Sequence, residues 1–238
     1  MNIALIGGTV EALLLALELS STHQVYIIEL EAEIGLPVRH PGRFLELDLL
    51  QNYFSDEHIT FLCPQQNEDG WGCRWEWIGK HLAAKAAREN ITFLSRTRIL
   101  SHHQHQQTHL LNLSTNERDF PPELEVQHVV LMSPNALQGP GKLQHNCVND
   151  ALKTYPIPPS THWYGGTLPT ASLPTGATAD LLLSRGDGLT ECWWLTTPTW
   201  QPPSGFIETC EVELPINLDE ISFDASVQRA VSFAKHFV

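Results

Sequence analysis

Two glycines, a threonine and a glutamate within the first 29 residues carry the clearest chemistry in this sequence. Gly7 and Gly8 close the apolar run Asn2-Ile-Ala-Leu-Ile6, Thr9 follows them, and Glu29 closes a second apolar run, Val25-Tyr-Ile-Ile28. A backbone without Cβ atoms can approach a pyrophosphate closely, and the start of a following helix adds free N–H groups and a positive dipole end. An acid at the end of the next strand, about 20 residues after the first glycine, accepts the ribose hydroxyls of a dinucleotide. Glu29 stands 22 positions after Gly7. The full pattern G-x-G-x-x-G reads here Gly7-Gly8-Thr9-Val10-Glu11-Ala12. Ala12 is a mild substitute for the third glycine, which serves helix–strand packing. Thr9 replaces the second, so a β-branched side chain crowds the phosphate position while its hydroxyl offers a donor. Glu11 suits the helix dipole and repels a nearby anion. A βαβ unit without a ligand is the competing reading of the same residues.

The elements that would hold these residues are legible. Val10-Glu-Ala-Leu-Leu-Leu-Ala-Leu-Glu-Leu19 is too long and too rich in Ala and Leu for a strand and predicts a helix. Ser20 to Gln24 breaks the pattern before the second strand, giving strand, glycine turn, helix, strand and terminal acid. The rest of the composition bounds the function. The chain has 238 residues, 42% hydrophobic, with a formal net charge of −13. That is enough for a substantial core, and it offers no basic stripe for nucleic acid. No run of 18 apolar residues occurs, so no membrane span is expected. The first strand has no basic segment before it, so no signal peptide is expected and a cytoplasmic location follows. Five cysteines (Cys63, Cys73, Cys147, Cys192, Cys210) without C-x-x-C spacing fit reduced thiols and give no zinc framework.

Other chemistry-bearing residues are less organised. Within His102-His-Gln-His-Gln-Gln-Thr-His109, the residues His103, His105 and His109 can share one strand face, and imidazoles so arranged chelate divalent metals. No acid or cysteine flanks them, so a solvated hairpin without metal is expected. Trp71, Trp75 and Trp77 cluster around Cys73 and Arg74; they can stack a flavin or an aromatic substrate, or pack against a domain seam. Ser133, His40 and Asp187 are scattered and there is no G-x-S-x-G elbow, so no catalytic residues are assigned and a hydrolase is disfavoured.

Along the chain, Phe44 to Phe54 predicts a short amphipathic helix, Ile59 to Cys63 a short strand, and Gln65 to Gly70 a polar turn. Trp75 to Asn90 predicts a helix leading into the strand Ile91 to Ser95. Arg98–Ser101, Thr108–Leu113 and Glu125–Met132 predict a three-stranded meander that returns to the main sheet. A proline-rich passage from Gly139 to Ser160 marks a crossing into an antiparallel region. Its strands are expected at Trp163–Leu168, Asp180–Ser184, Leu189–Thr196 and Phe206–Leu214, with Asp187-Gly188 as a hairpin turn. Asp224 to Val238 predicts a closing helix.

The stretch Leu30-Glu-Ala-Glu-Ile-Gly-Leu-Pro-Val-Arg-His-Pro-Gly-Arg-Phe44 extends the dinucleotide pattern. With Gly7, Gly8 and Glu29, its residues Ile34-Gly35, Pro37-Val38-Arg39 and Gly42 resemble the FAD-dependent oxidoreductases, in particular the geranylgeranyl reductase and aromatic-ring hydroxylase branch. The resemblance implies an α/β fold. An FAD/NAD(P)-binding Rossmann-like domain, three-layered with a parallel sheet plus a β-meander, would be joined to a smaller antiparallel β region. Residues 1–150 would form the FAD domain, completed by the helix 224–238, and residues 151–223 the small one. It implies FAD as cofactor, held by Gly7, Gly8, Thr9, Glu29, Leu30, Arg39 and Ile99. Glu29 would hold the adenosine ribose, and Arg39 would lie beside the flavin's phosphate or ribityl arm. Resemblance aside, an arginine in a glycine- and proline-bounded loop suits anion contact; an ordinary surface arginine is the alternative. Arg74 is the nearest match to an arginine that faces the flavin. The family's A-D/T-G-x-x-S turn reads here Met132-Ser-Pro-Asn-Ala-Leu-Gln-Gly139, a turn without its inner glycine. Arg185-Gly-Asp187 imitates the second flavin motif but precedes a strand-like run, and reads as a tight turn. Family members are longer, so the chain reads as a reduced version. The implied function is an FAD-dependent oxidoreductase passing a hydride between reduced flavin and an unknown small molecule. The alternative is a non-catalytic flavoprotein-like fold that binds a nucleotide or a protein partner.

Overall fold

The computed structural model describes residues 1–35, 39–147 and 152–237. In chain order the elements are β1 (Asn2–Ile6), α1 (Val10–Leu19), β2 (Gln24–Ile28), β3 (Arg43–Phe44), α2 (Leu47–Gln51), α3 (Asp56–Leu62), β4 (Gln65–Asn67) and β5 (Gly70–Gly72). Then follow α4 (Trp75–Ala86), β6 (Ile91–Leu94), β7 (Arg98–His105), β8 (Thr108–Ser114), β9 (Glu123–Val126), β10 (His128–Leu131) and β11 (Lys153–Thr154). The last are β12 (Ser160–Pro169), β13 (Leu181–Ser184), β14 (Leu189–Trp194), β15 (Glu208–Pro215) and α5 (Phe223–Ala234). Contacts divide the chain into two units, Met1–Pro37 with Leu82–Ile157 and Gln228–Val238, and Val38–His81 with Pro158–Val227. The sequence puts the seam near residue 150. The contacts group residues 38–81 with the later strands, because β4 and β5 lie against β13.

The first unit is built on a parallel sheet in the order β11-β10-β1-β2-β6. β1 runs Ile3 to Ile6 fully buried, as parallel strands covered on both faces must. Ala4, Ile6, Ile28, Leu94, Val129 and Leu131 meet the meander residues Ile99, Leu111, Leu113, Leu124 and Val126 in one core cluster. The α1 helix, buried at seven of its ten positions, lies against β2. The expected helix Val10–Leu19, strands and meander are all present.

The meander corrects the histidine reading. A bulge between Ile99 and Ser101 shifts the register of β7 against β8, and a one-residue slip moves every later side chain to the opposite face. His103 and His105 are therefore exposed, and His102 turns inward beside His109, Nε2 to Nδ1 at 2.9 Å, both buried. Among the described residues no group of three or more ligands could hold a metal.

The second unit joins a four-stranded antiparallel sheet, β13-β14-β12-β15, to the small sheet β3-β5-β4. Trp163, Leu181, Leu183, Trp193 and Leu214 fill one core cluster, and Leu168, Cys192 and Trp194 another. The segment expected as a strand from Ile59 is α3 instead. Ser55 caps it by accepting from the His58 N–H, and Asp56 and Glu57 occupy its first turn. These start signals outweigh the β-type triplet Ile59-Thr-Phe61. The turn after β13 organises a buried ion network. Arg185 donates to Glu191 Oε1 at 2.8 Å and grips Asp187 through two nitrogens, at 2.8 and 3.2 Å. Glu191 Oε2 also accepts from Trp193 Nε1 and the Gly42 N–H, at 3.1 and 3.3 Å. Burial raises the Glu191 carboxyl, and Arg185 opposes that rise.

Arg185→Met should destabilise the protein by roughly 3–5 kcal/mol, because it strands a buried carboxylate. Arg185→Met with Glu191→Gln should recover part of that loss in urea unfolding; a single variant as stable as the parent contradicts the account. The histidines give a pH dependence. Burial, then Arg98, lowers His145 to about 4, and burial also lowers His102, His109 and His128. The unfolded chain binds these protons first, so stability is complete above about pH 6.5 and falls as pH falls. His145 alone should account for roughly 2 kcal/mol lost between pH 7 and pH 5. His145→Gln, which does not titrate, should show a slope shallower by that amount.

Candidate dinucleotide site

Parallel pairing of β1 with β2 sets Ile6 against Ile28, so the glycine turn and Glu29 emerge at the same level of the sheet. Gly7 holds φ +104°, a left-handed conformation that glycine adopts readily. Its N–H donates to Ile28 O at 3.0 Å. Gly8 is glycine for space: a Cβ there would stand 3.1 Å from Ile34 and 3.2 Å from Glu29 Oε2. The Gly8 N–H donates to Glu29 Oε2 at 2.5 Å, and the Glu31 N–H to Oε1 at 3.0 Å. Two of the roughly four acceptor positions of this carboxylate are thus used inside the chain. Gly35 N–H donates to Gly8 O at 2.5 Å, folding the segment after Glu29 over the glycine turn.

Thr9 is the N-cap of α1. Its φ of −76° is open to any residue, and its hydroxyl accepts from the Ala12 N–H at 3.2 Å. Where glycine would leave the helix start uncapped, threonine satisfies one of its free donors. Glu11, in the same turn, lies 3.7 Å from Arg229. Leu30 is buried and fills the space beside Gly139, where a Cβ would meet it at 2.6 Å. Ile99 is a fully buried core residue whose backbone, not its side chain, makes polar contacts. The structure brings Gly7, Gly8, Thr9 and Glu29 together at one strand end of the first unit.

Arg39 belongs to the second unit; Pro37 and Val38 of the same quoted stretch lie outside the described residues. It lines a groove of about 370 Å³ with Tyr164, Pro198, Gln201, Phe206 and Cys210. Among the described residues it has no hydrogen bond or ion pair. Arg74 pairs with Glu76 at 2.9 Å and lies 5.8 Å over the Trp77 ring, so it is held on its own helix. The tryptophans take their packing role: Trp75 stacks on His40 at 4.1 Å, Trp71 on Phe44, and Trp77 against Phe61. All five cysteines are free thiols. No helix among the described residues is long and apolar enough to cross a membrane.

Sequence reasoning missed His145 and Asn146, which hold the Ile99 backbone from a polar loop without periodicity. It also missed Glu191, a charge buried in a strand that reads as apolar.

No family profile and no curated protein matches this sequence. Solved structures do. The p-nitrophenol 4-monooxygenase of Pseudomonas putida DLL-E4 aligns over 98% of this chain and 78% of its own, with TM-score 0.59 and 10% identity. A flavoprotein/dehydrogenase of Cytophaga hutchinsonii aligns over 99% and 79%, with TM-score 0.55 and 13% identity. CtdE, solved in complex with FAD, aligns over 83% of this chain and 60% of its own, with TM-score 0.50 and 12% identity. Identities this low speak of fold alone. The chain has the α/β fold of the FAD-binding, Rossmann-like flavoproteins.

Proposed function

We propose that the chain binds FAD at the strand-end site of its first unit and serves as an oxidoreductase acting on a small organic molecule. The observation that carries this reading is the Glu29–Gly8 contact. A carboxylate that ends the second strand sits over a glycine turn with a positive φ, 21 residues away in sequence. That pairing serves a ribose diol and an adjacent phosphate at once, since the acid accepts hydroxyls and the turn admits the anion. The residues fit the group: a Cβ at Gly8 would fill the cradle. Glu29 and the Gly7-Gly8 turn would hold the nucleotide end, and Thr9 keeps the helix start in place. Bound flavin supplies the hydride chemistry, and the chain supplies binding and orientation. In the second unit, Arg39 has no hydrogen bond or ion pair among the described residues, and its guanidinium suits an anion. A groove of about 370 Å³ with a Tyr164 and Phe206 lining lies within the size range of small-molecule sites.

A nucleotide-binding fold without catalysis is favoured by one feature. Ser133-Pro134 stands where the resembled family has glycine in its cofactor turn. Yellow purified protein whose flavin is reduced and reoxidised supports the first reading. Colourless protein with no melting shift on added FAD refutes it, since a ligand bound only to the folded state must raise the melting temperature.

Glu29→Ala should weaken FAD binding by roughly 1.5–3 kcal/mol, the worth of a charge-assisted acceptor. Unchanged affinity in a calorimetric titration moves the ribose elsewhere. Thr9→Gly removes the cap and adds backbone freedom, lowering stability by up to about 1 kcal/mol. It should also tighten FAD binding, because the hydroxyl spent on Ala12 gives the phosphate nothing and the Cβ crowds it. A variant with lower stability and no gain in affinity shows that the threonine is no obstacle.

A further inference from the structure

Ile99, on the outer strand of the meander, has a pairing unlike that of its neighbours. Its N–H donates to the imidazole Nδ1 of His145 at 3.0 Å, and its C=O accepts from the Asn146 N–H at 2.9 Å. The Asn146 side chain adds a bond to Leu100 O at 3.0 Å. Since Nδ1 accepts, the neutral ring carries its proton on Nε2, and that buried atom has no partner. A strand edge needs covering, but backbone alone covers edges without stranding a buried donor.

A ring nitrogen that accepts beside an N–H that donates is the edge adenine presents, with N7 next to its 6-amino group. The amide and carbonyl of Ile99 are the complement of that edge. Their position fits the base of a nucleotide whose ribose meets Glu29. The Thr97 N–H donates to Glu29 O and the Arg96 N–H to Glu31 O, both at 2.9 Å, so Ile99 lies two residues beyond a direct tie to that acid. A groove of about 610 Å³ adjoins it, lined by Ser101, Leu137, Gln138, Gln144 and Asn146 as well as His145. None of these six is charged at neutral pH, which suits a neutral heterocycle and not a phosphate.

Resting on the FAD reading above, we propose that Leu143–Cys147 is an autoinhibitory strap. His145 and Asn146 occupy the backbone groups of Ile99 that the adenine ring would take, so an adenine-bearing cofactor seats fully only when the strap lifts. Hydrogen bonds tie the strap down, from His145 N–H to Leu137 O at 2.8 Å, from Gly139 N–H to Leu143 O at 2.9 Å and from Arg98 Nε to Gln144 O at 2.9 Å, and Cys147 at its end packs against the meander core. The hydrogen bonds exchange readily for a ligand's.

The test titrates FAD, ADP and FMN, which lacks adenine, into the parent protein and His145→Ala by calorimetry. FAD and ADP should bind the variant at least tenfold more tightly, with FMN affinity the same in both. Equal FAD affinity in parent and variant overturns the strap and leaves the FAD reading intact, as does an equal gain for FMN. Failure of all three ligands with both proteins overturns both proposals. The parent supplies a second readout that needs no variant. At saturating FAD, amide exchange at Asn146 should quicken at least tenfold while Ile99 stays slow. An Asn146 amide still protected in the FAD complex overturns the strap.

Discussion

The first unit depends on one constraint, that β1 and β2 end level with each other. Their register, Ile6 against Ile28, delivers a glycine turn and a carboxylate to the same end of the sheet, where the Gly8 amide meets Glu29. Sliding either strand by one residue would reverse the faces of Ile27 and Ile28 and send the acid away from the turn. Register in a parallel pair has no hairpin to set it, so burial must. β1 is buried from Ile3 to Ile6, and both faces need cover. The α1 helix and the meander core supply that cover, and each is thereby coupled to the geometry of the acid and the glycines.

Elsewhere a charge does comparable work. In the second unit Glu191 is fully enclosed, and its oxygens tie Arg185 on one side to the Trp193 indole and the Gly42 amide on the other. Gly42 has no room for a side chain, since a Cβ would collide with the Cys73 carbonyl. Close backbone approach and a buried acceptor thus reinforce each other. An ionic centre of this kind carries a desolvation cost that the three donors to the carboxylate offset.

The sequence was most legible where a single period ran uninterrupted. The Val10–Leu19 helix, the strands flanking it and the Asp187-Gly188 hairpin appear where their patterns put them, because local propensity and burial agree there. It was least legible where two local signals compete. Ile59-Thr-Phe61 has β-type side chains, yet Ser55-Asp56-Glu57 starts a helix and the helix prevails. Of the site, the glycines and Glu29 were readable as a spacing. Thr9 was readable only as a departure from a motif, since its capping role depends on where the helix begins. The grouping of residues 38–81 with the later strands was not readable at all, for it arises from contacts between short strands far apart in sequence.

The bulge in β7 shows why side-chain roles in the meander resist prediction. Without it, the inward set that includes Ile99 would continue through Ser101, His103 and His105, and the histidine-rich turn would point imidazoles into the core. One extra residue keeps Ser101 beside Asn112 on the outer face along with Leu100 and brings His102 inside to meet His109. The same irregularity falls next to Ile99, whose N–H and C=O face away from β8 and are taken by His145 and Asn146. Bulges concentrate where a strand must end its pairing or redirect a group. Here one bulge does both, because the residue it follows is the one whose backbone is turned to a partner outside the sheet. The histidine pair and the captured edge are therefore two consequences of a single insertion in the ladder, and neither is written in the order of polar and apolar residues.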